Sequence, residues 1–137
     1  MAPSASEAFA RAGRGEHVIG WKLQVDQRRQ LLDKFPPKFG DIVADHVTLA
    51  AKAGRDAPLP DETDGDIIGR VDDDAGVEAL VVAIGGTTDR PGGGTFHITW
   101  SLENGRKARE SNDVIAQRGW VAFDASIPIK LHPARLR

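Results

Sequence analysis

The sequence has no cysteine. Disulfide scaffolds, cysteine-ligated zinc or iron–sulfur centres and thiol nucleophiles are excluded, so any catalysis must come from His, Asp, Glu, Ser, Thr or Lys. No apolar run approaches the ~20 residues of a membrane helix, and the longest, Ala79 to Gly86, is of strand length. A soluble, cytoplasmic protein with no membrane partner is expected. Nor is there an excess of one charge sign: 18 basic residues face 20 acidic ones, which argues against intrinsic disorder and against a purely electrostatic nucleic-acid coat. The 137 residues suffice for one small domain with a real core and no staples.

The charge is unevenly distributed. Residues 1–56 hold 9 basic and 7 acidic groups, residues 57–89 hold 1 and 9, and residues 90–137 hold 8 and 4. An acidic middle thus lies between two mildly basic flanks, and Asp61–Asp66 and Asp72–Asp74 read as solvated loop and hairpin. The stretch around Asp72, Asp73, Asp74 and Gly76 lacks the alternating ligands and distal Glu of a calcium loop. The first 15 residues have no apolar segment of signal-peptide type. They read as an N-terminal tail, with Ser4 and Glu7 at capping-box spacing for a short helix, ahead of one domain over residues 16–137.

Periodicity favours an α+β fold rich in short strands. His17–Gln24 reads as strand, and Asp26–Phe35 as a helix with Leu31, Leu32 and Phe35 on one face, stopped by Pro36 and Pro37. Ile42–Ala51 reads as strand. Ile67–Asp73 and Val77–Ile84 should pair as a hairpin through Asp74–Gly76. The glycine-rich stretch from Gly85 to Gly94 is a loop opening onto the strand Thr95–Leu102. Ser111 or Asn112 caps a short helix through Gln117 that Gly119 closes, and Trp120–Leu131 is a last strand.

The informative feature is a repeat: His46–Val47–Thr48–Leu49 and His97–Ile98–Thr99–Trp100, 97 − 46 = 51 residues apart in a chain holding four histidines. Each reads His, β-branched apolar, Thr, large apolar. With side chains alternating across a strand, His and Thr share one face, about 6–7 Å apart, while the apolar pair, Trp100 included, faces the core. Strict alternation extends the polar face to Ser101 on the second strand and to Lys52 on the first. Were the strands neighbours, two imidazoles and two hydroxyls would converge on one groove, a set suited to a phosphodiester. In-line displacement at phosphorus needs a base for water, an acid for the leaving oxygen and donors for the non-bridging oxygens. No cofactor or metal is called for. A zinc site would want a third ligand, and alternation points Asp45 away from His46. His17 and His132 lie outside the repeat and read as structural.

The paired motif resembles the signature of the 2H phosphoesterase superfamily, two His–x–Thr/Ser–x strands. The stretch from Ser101 to Asn112, with Gly105, Lys107 and Ser111–Asn112, looks most like the cyclic phosphodiesterase domain of fungal-type tRNA ligases. The resemblance spans about residues 18–129. It implies a compact, two-lobed, pseudo-symmetric fold of antiparallel sheets with few short helices and a central groove between the motif strands. It also implies His46 and His97 as the acid/base pair, with His97 the base on water and His46 the acid, and Thr48 and Thr99 as binders of phosphate oxygens. The substrate implied is an RNA bearing a 2′,3′-cyclic phosphate end, or a cyclic nucleotide, opened to a monophosphate, the 2′-phosphate by preference. An RNA ligase or kinase encoded separately is the implied partner. Ser101, Lys52 and Phe39 are further candidates for substrate contact, and Lys38, Arg106, Lys107 and Arg109 for a basic rim. A non-catalytic RNA-end or nucleotide-binding module, a 2′-5′ RNA ligase-type activity, or a β domain with incidental histidines are the alternatives.

Overall fold

A computed structural model describes residues 2–137. Its elements in chain order are α1 (Ala5–Ala10), β1 (His17–Leu23), α2 (Val25–Lys34), β2 (Asp41–Ile42), β3 (His46–Ala53), β4 (Asp64–Asp72), β5 (Val77–Ala83), β6 (His97–Leu102), a 3-10 turn (Ala108–Glu110), α3 (Ser111–Arg118) and β7 (Val121–Arg135). The fold is α+β, every strand pairing is antiparallel, and the helices are few and short. The strand order β2-β6-β3-β1-β7-β4-β5, with a further β5–β6 pairing, closes the sheet into a barrel. Closure removes the unpaired edges that an open antiparallel sheet must otherwise protect.

The barrel is filled by inward-facing side chains. Ile19 and Trp21 of β1, Val47 and Leu49 of β3, Ile67 of β4, Leu80 and Val82 of β5, Ile98 and Trp100 of β6, and Ile129 and Leu131 of β7 form one buried cluster. Both buried indoles find acceptors, the Trp21 Nε1 on the Glu62 carbonyl at 2.9 Å and the Trp100 Nε1 on the Phe35 carbonyl at 2.8 Å. This spares the cost of an unpaired buried N–H. The outer face of β5 carries Val77, Ala79 and Val81, which meet Val114 and Ile115 of α3. Being covered on both faces explains why β5 runs apolar from Ala79 to Ala83 rather than alternating, Glu78 being its one polar residue.

Residues 1–15, expected as a tail, are ordered against the barrel over the described part. Ser4 and Glu7 form the expected capping box, and Ala5, Ala8 and Ala12 join the core cluster. The Ala12 carbonyl accepts from the Gly54 N–H at 2.7 Å, and Glu62 accepts from the Ala5 N–H at 3.0 Å. The last strand runs to Arg135, four residues past its expected end. Pro133 does not stop it, although it pairs with Trp21 in the β1–β7 ladder.

The most consequential departure is a kink. The single strand expected over Ile42–Ala51 is broken between β2 and β3, where Ala44, fully buried, has φ 43°. β2 pairs with β6 as Asp41↔Leu102 and Ile42↔Ser101, whereas β3 resumes as Val47↔Ile98. The sums of paired numbers change from 143 to 145, so two extra residues are accommodated on the β2–β3 side. Left-handed backbone is costly for an L-residue, and alanine carries the smallest side chain that must bear it.

Candidate functional site

The histidine strands are neighbours. Val47 pairs with Ile98, and continuing that antiparallel register by one residue each way sets His46 beside Thr99 and Thr48 beside His97. The two tetrapeptides are thereby related by a local two-fold, with the imidazoles as diagonal neighbours. Such positions lie about 7–8 Å apart, close enough for both rings to reach one phosphorus. All four side chains line the same recess on the outside of the barrel, of about 420 Å³.

Gly20 of β1 lets this surface form. It pairs with Thr48, and a Cβ there would stand 2.1 Å from the Val47 carbonyl oxygen, so only glycine permits β1 to approach β3 so closely.

Each imidazole is anchored through one nitrogen. The His97 Nδ1 lies 2.8 Å from the Thr95 carbonyl oxygen; a carbonyl can only accept, so Nδ1 carries the proton. The His46 Nδ1 lies 3.1 Å from the Asp45 carboxylate, which likewise accepts. Neither Nε2 has a protein partner among the described residues. Both rings therefore present an unprotonated Nε2 when neutral, the form needed in a base. Asp45 corrects an expectation: strand alternation pointed it away from His46, but it sits in the Ala44 kink, where alternation does not hold.

The electrostatics of the two rings differ. Burial pushes the His97 pKa below the ordinary histidine value, the charges of Arg90 and His46 push it further down, and the Thr95 carbonyl opposes them. His97 is thus neutral at neutral pH. His46, less enclosed, has the Asp45 carboxylate as partner for an imidazolium, and Lys22 stands 3.7 Å from the same carboxylate.

The threonines differ too. Thr48 is half-buried with no hydrogen-bond partner among the described residues, so its hydroxyl is unengaged. Thr99 is 6% exposed and its hydroxyl lies 2.8 Å from the Ser111 hydroxyl and 3.3 Å from the Ala108 carbonyl oxygen.

The other candidates lie elsewhere. Ser101 leaves the face of His97 and Thr99 because the β5–β6 register shifts between Glu78 and Ala79: it pairs with Glu78, on the opposite face of β5 from Val77 and Ala79, and is fully buried beneath residues 36–40, donating to Glu78 at 2.6 Å and accepting from the Phe39 N–H at 3.1 Å. Phe39 is half-buried there, under the Lys38 ammonium, away from the histidines. Lys52 leaves the His46 face because the β1–β3 register shifts twice: Gly20 pairs with Thr48, Ile19 with Ala50 and His17 with Ala53, so five steps on β3 answer three on β1. Ala51 lines the recess in its stead, and Lys52 borders other depressions. Of the basic rim, Arg109 lines the recess, whereas Lys38 pairs with Asp72 and Asp74, and Arg106 with Asp73 and Glu110.

Sequence reasoning did not single out Arg90, Asn112 or Arg137 as residues of this site. Arg90 opens a turn in which its N–H donates to the Gly94 carbonyl at 3.0 Å and its Nε to the Gly93 carbonyl at 3.2 Å. Asn112 accepts from the Thr95 N–H at 3.2 Å, joining the start of α3 to the approach to β6. A Cβ on Gly94 would stand 2.4 Å from the Asn112 amide, and this glycine, at φ 92°, is what lets the loop close on the helix. A usable signal was a lone arginine at the head of a glycine-rich loop that runs directly into His97. Among the described residues no cluster of three or more His, Asp or Glu side chains is arranged to hold a metal ion. No family model, no curated protein and no solved structure matches this chain.

Proposed function

We propose that the recess is the active site of a metal-independent phosphodiesterase of 2H phosphoesterase type, which hydrolyses 2′,3′-cyclic phosphates of RNA ends or nucleotides to a 2′-phosphate. The observation that carries the reading is the pair of imidazoles, each anchored through Nδ1 with Nε2 unengaged, on adjacent strands of one recess that also holds Thr48, Thr99 and three arginines. The reading brings with it the two-lobed, pseudo-symmetric organisation around a central groove, to which the local two-fold of the motif strands lends support. The chemistry belongs to RNA repair in the cytoplasm, with a separate RNA ligase or kinase acting on the ends.

In this mechanism the neutral His97 Nε2 takes a proton from water as its oxygen attacks phosphorus. The bond to the ribose 3′ oxygen breaks, and that oxygen receives a proton from the His46 imidazolium, leaving a 2′-phosphate and a 3′ hydroxyl. His97, desolvated and beside Arg90, suits the base; His46, beside Asp45, suits the acid. Thr48 donates to a non-bridging oxygen. Ser111 donates to Thr99, so that the Thr99 hydrogen can turn from the Ala108 carbonyl to the second one.

The test is turnover of adenosine 2′,3′-cyclic phosphate with excess EDTA. The wild type should release adenosine 2′-monophosphate, and His46→Ala and His97→Ala, with unchanged circular dichroism, should each lose about 10²–10⁴-fold in rate. Full turnover by both variants would overturn the assignment. Saturable binding with no product over hours would favour the non-catalytic module.

A further inference from the structure

The recess holds more positive charge than a cyclic phosphodiester can use. Arg90, Arg109 and Arg137 line it, and among the described residues Asp113 is the one acidic side chain of its lining. Elsewhere the arginines that form ion pairs are Arg11, Arg70, Arg106 and Arg118. Among the described residues neither Arg90 nor Arg109 nor Arg137 has a carboxylate within 4.0 Å. Arg90 is the costly case, half-buried and held in place by its own turn, and its charge bears on the His97 ring. A partly desolvated guanidinium beside a titratable imidazole is unfavourable until an anion arrives. A cyclic phosphate, with one negative charge, answers Arg90. It leaves Arg109 and Arg137 unanswered.

Arg109 stands apart from Arg90 in the chain and in exposure. It follows Ala108, whose carbonyl meets Thr99, and it is exposed at the rim beside the first turn of α3, where Asn112 and Asp113 also line the recess. The opposite wall is apolar, made of Val18, Ala51 and Leu136. Among the described residues the two reacting imidazoles are the only aromatic rings of the lining, so no other ring offers a base a stacking platform, and recognition beyond the reacting phosphate falls to charge.

We infer that the site prefers a substrate carrying a second phosphate one ribose away from the cyclic one, on the nucleotide's 5′ side, with Arg109 as the residue that recognises it. The ribose then lies along Val18, Ala51 and Leu136. Arg90 holds the cyclic phosphate. The inference rests on the phosphodiesterase reading and names its substrate class. The second phosphate can be a terminal 5′-monophosphate or the internucleotide link of an RNA end.

Three substrates separate these cases: adenosine 2′,3′-cyclic phosphate, the same nucleoside carrying a 5′-monophosphate, and the dinucleotide ApA ending in a 2′,3′-cyclic phosphate without a 5′-phosphate. The wild type should turn over one or both phosphorylated substrates with kcat/KM about tenfold or more above the first, the worth of one charge-assisted hydrogen bond. The favoured arm identifies the source. Arg109→Ala should bring the ratio near one, and Arg109→Lys should keep part of it. Equal turnover of all three by the wild type overturns the inference and leaves the phosphodiesterase reading standing. If none is turned over, the parent reading fails, and calorimetry with adenosine 2′,5′-bisphosphate against adenosine 2′-monophosphate decides the site itself. A roughly tenfold preference for the bisphosphate that Arg109→Ala removes sustains it, and equal affinities overturn it.

Discussion

Two polar regions of this barrel treat charge in opposite ways. Around the β4–β5 hairpin the two most enclosed carboxylates are satisfied: Glu78, fully buried, accepts from Ser101, the Lys38 N–H and Arg70, and Asp73 accepts from Ala75, Val77 and Arg106. At the junction of β3 and β6 the arginines stand without carboxylates and two imidazoles present an unengaged Nε2. A satisfied network holds a structure together, whereas a cluster whose unpaired arginines outnumber its carboxylates awaits a ligand. The acidic middle of the chain, which reads as solvated loop, is in its hairpin a set of anchors for the basic flanks.

This contrast can be broken from either side. The largest effect should come from moving the base: His97→Asn ought to cost about 10²–10⁴-fold in cyclic phosphate turnover while the melting temperature moves by only a few degrees. Glu78→Ala should do the reverse. Removing a buried carboxylate leaves Ser101 and the Lys38 N–H unpaired, and a loss of about 2–3 kcal/mol in urea unfolding is expected. That lies below the range for a fully enclosed pair because Arg70, 38% exposed, can turn to water. Turnover per folded molecule should survive.

Gly20→Ala tests whether the site depends on the approach of β1 to β3. The added Cβ collides with backbone, so about 2–3 kcal/mol of stability should be lost together with activity, because the displaced strand carries His46 and Thr48.

The smallest effect is on pH. The His97 pKa is lowered by folding, so the unfolded chain binds more protons just below the ordinary histidine value. Stability should be highest above about pH 6.5 and fall as the pH drops towards the lowered folded value, and His97→Asn should flatten that slope. The acid limb of kcat/KM should likewise lie below 6.5, and Arg90→Gln, which removes one of the charges depressing His97, should shift it upward.

Much of the secondary structure was legible because it is local. The capping box at Ser4, the stop at Pro36, the hairpin through Asp74–Gly76 and the closing Gly119, at φ 69°, each follow from a few neighbouring residues. The faces of the His–x–Thr strands followed from period-two alternation, and Trp100 is buried inside as that pattern requires. Alternation failed where backbone irregularities intervene. The kink at Ala44 turned Asp45 onto His46, and the two register shifts on either side of Ile19 removed Lys52 from the site, neither of which an Ala-rich stretch announces. A register shift between β5 and β6 took Ser101 off the histidine face, onto Glu78 and under the 36–40 segment, a contact made across 62 residues.

The sequence by itself determined the inventory: no thiol, two matched tetrapeptides, and a chain of short strands whose polar and apolar positions alternate. Tertiary structure alone decided that the sheet closes, that β3 and β6 lie side by side with Val47 on Ile98, and that Arg90 and Arg109 join the histidines from loops. The physical reason is range. Alternation and capping are set by residues a few positions apart, but strand order and register are set by which distant apolar faces can be buried together, and that competition is settled only when the whole barrel packs.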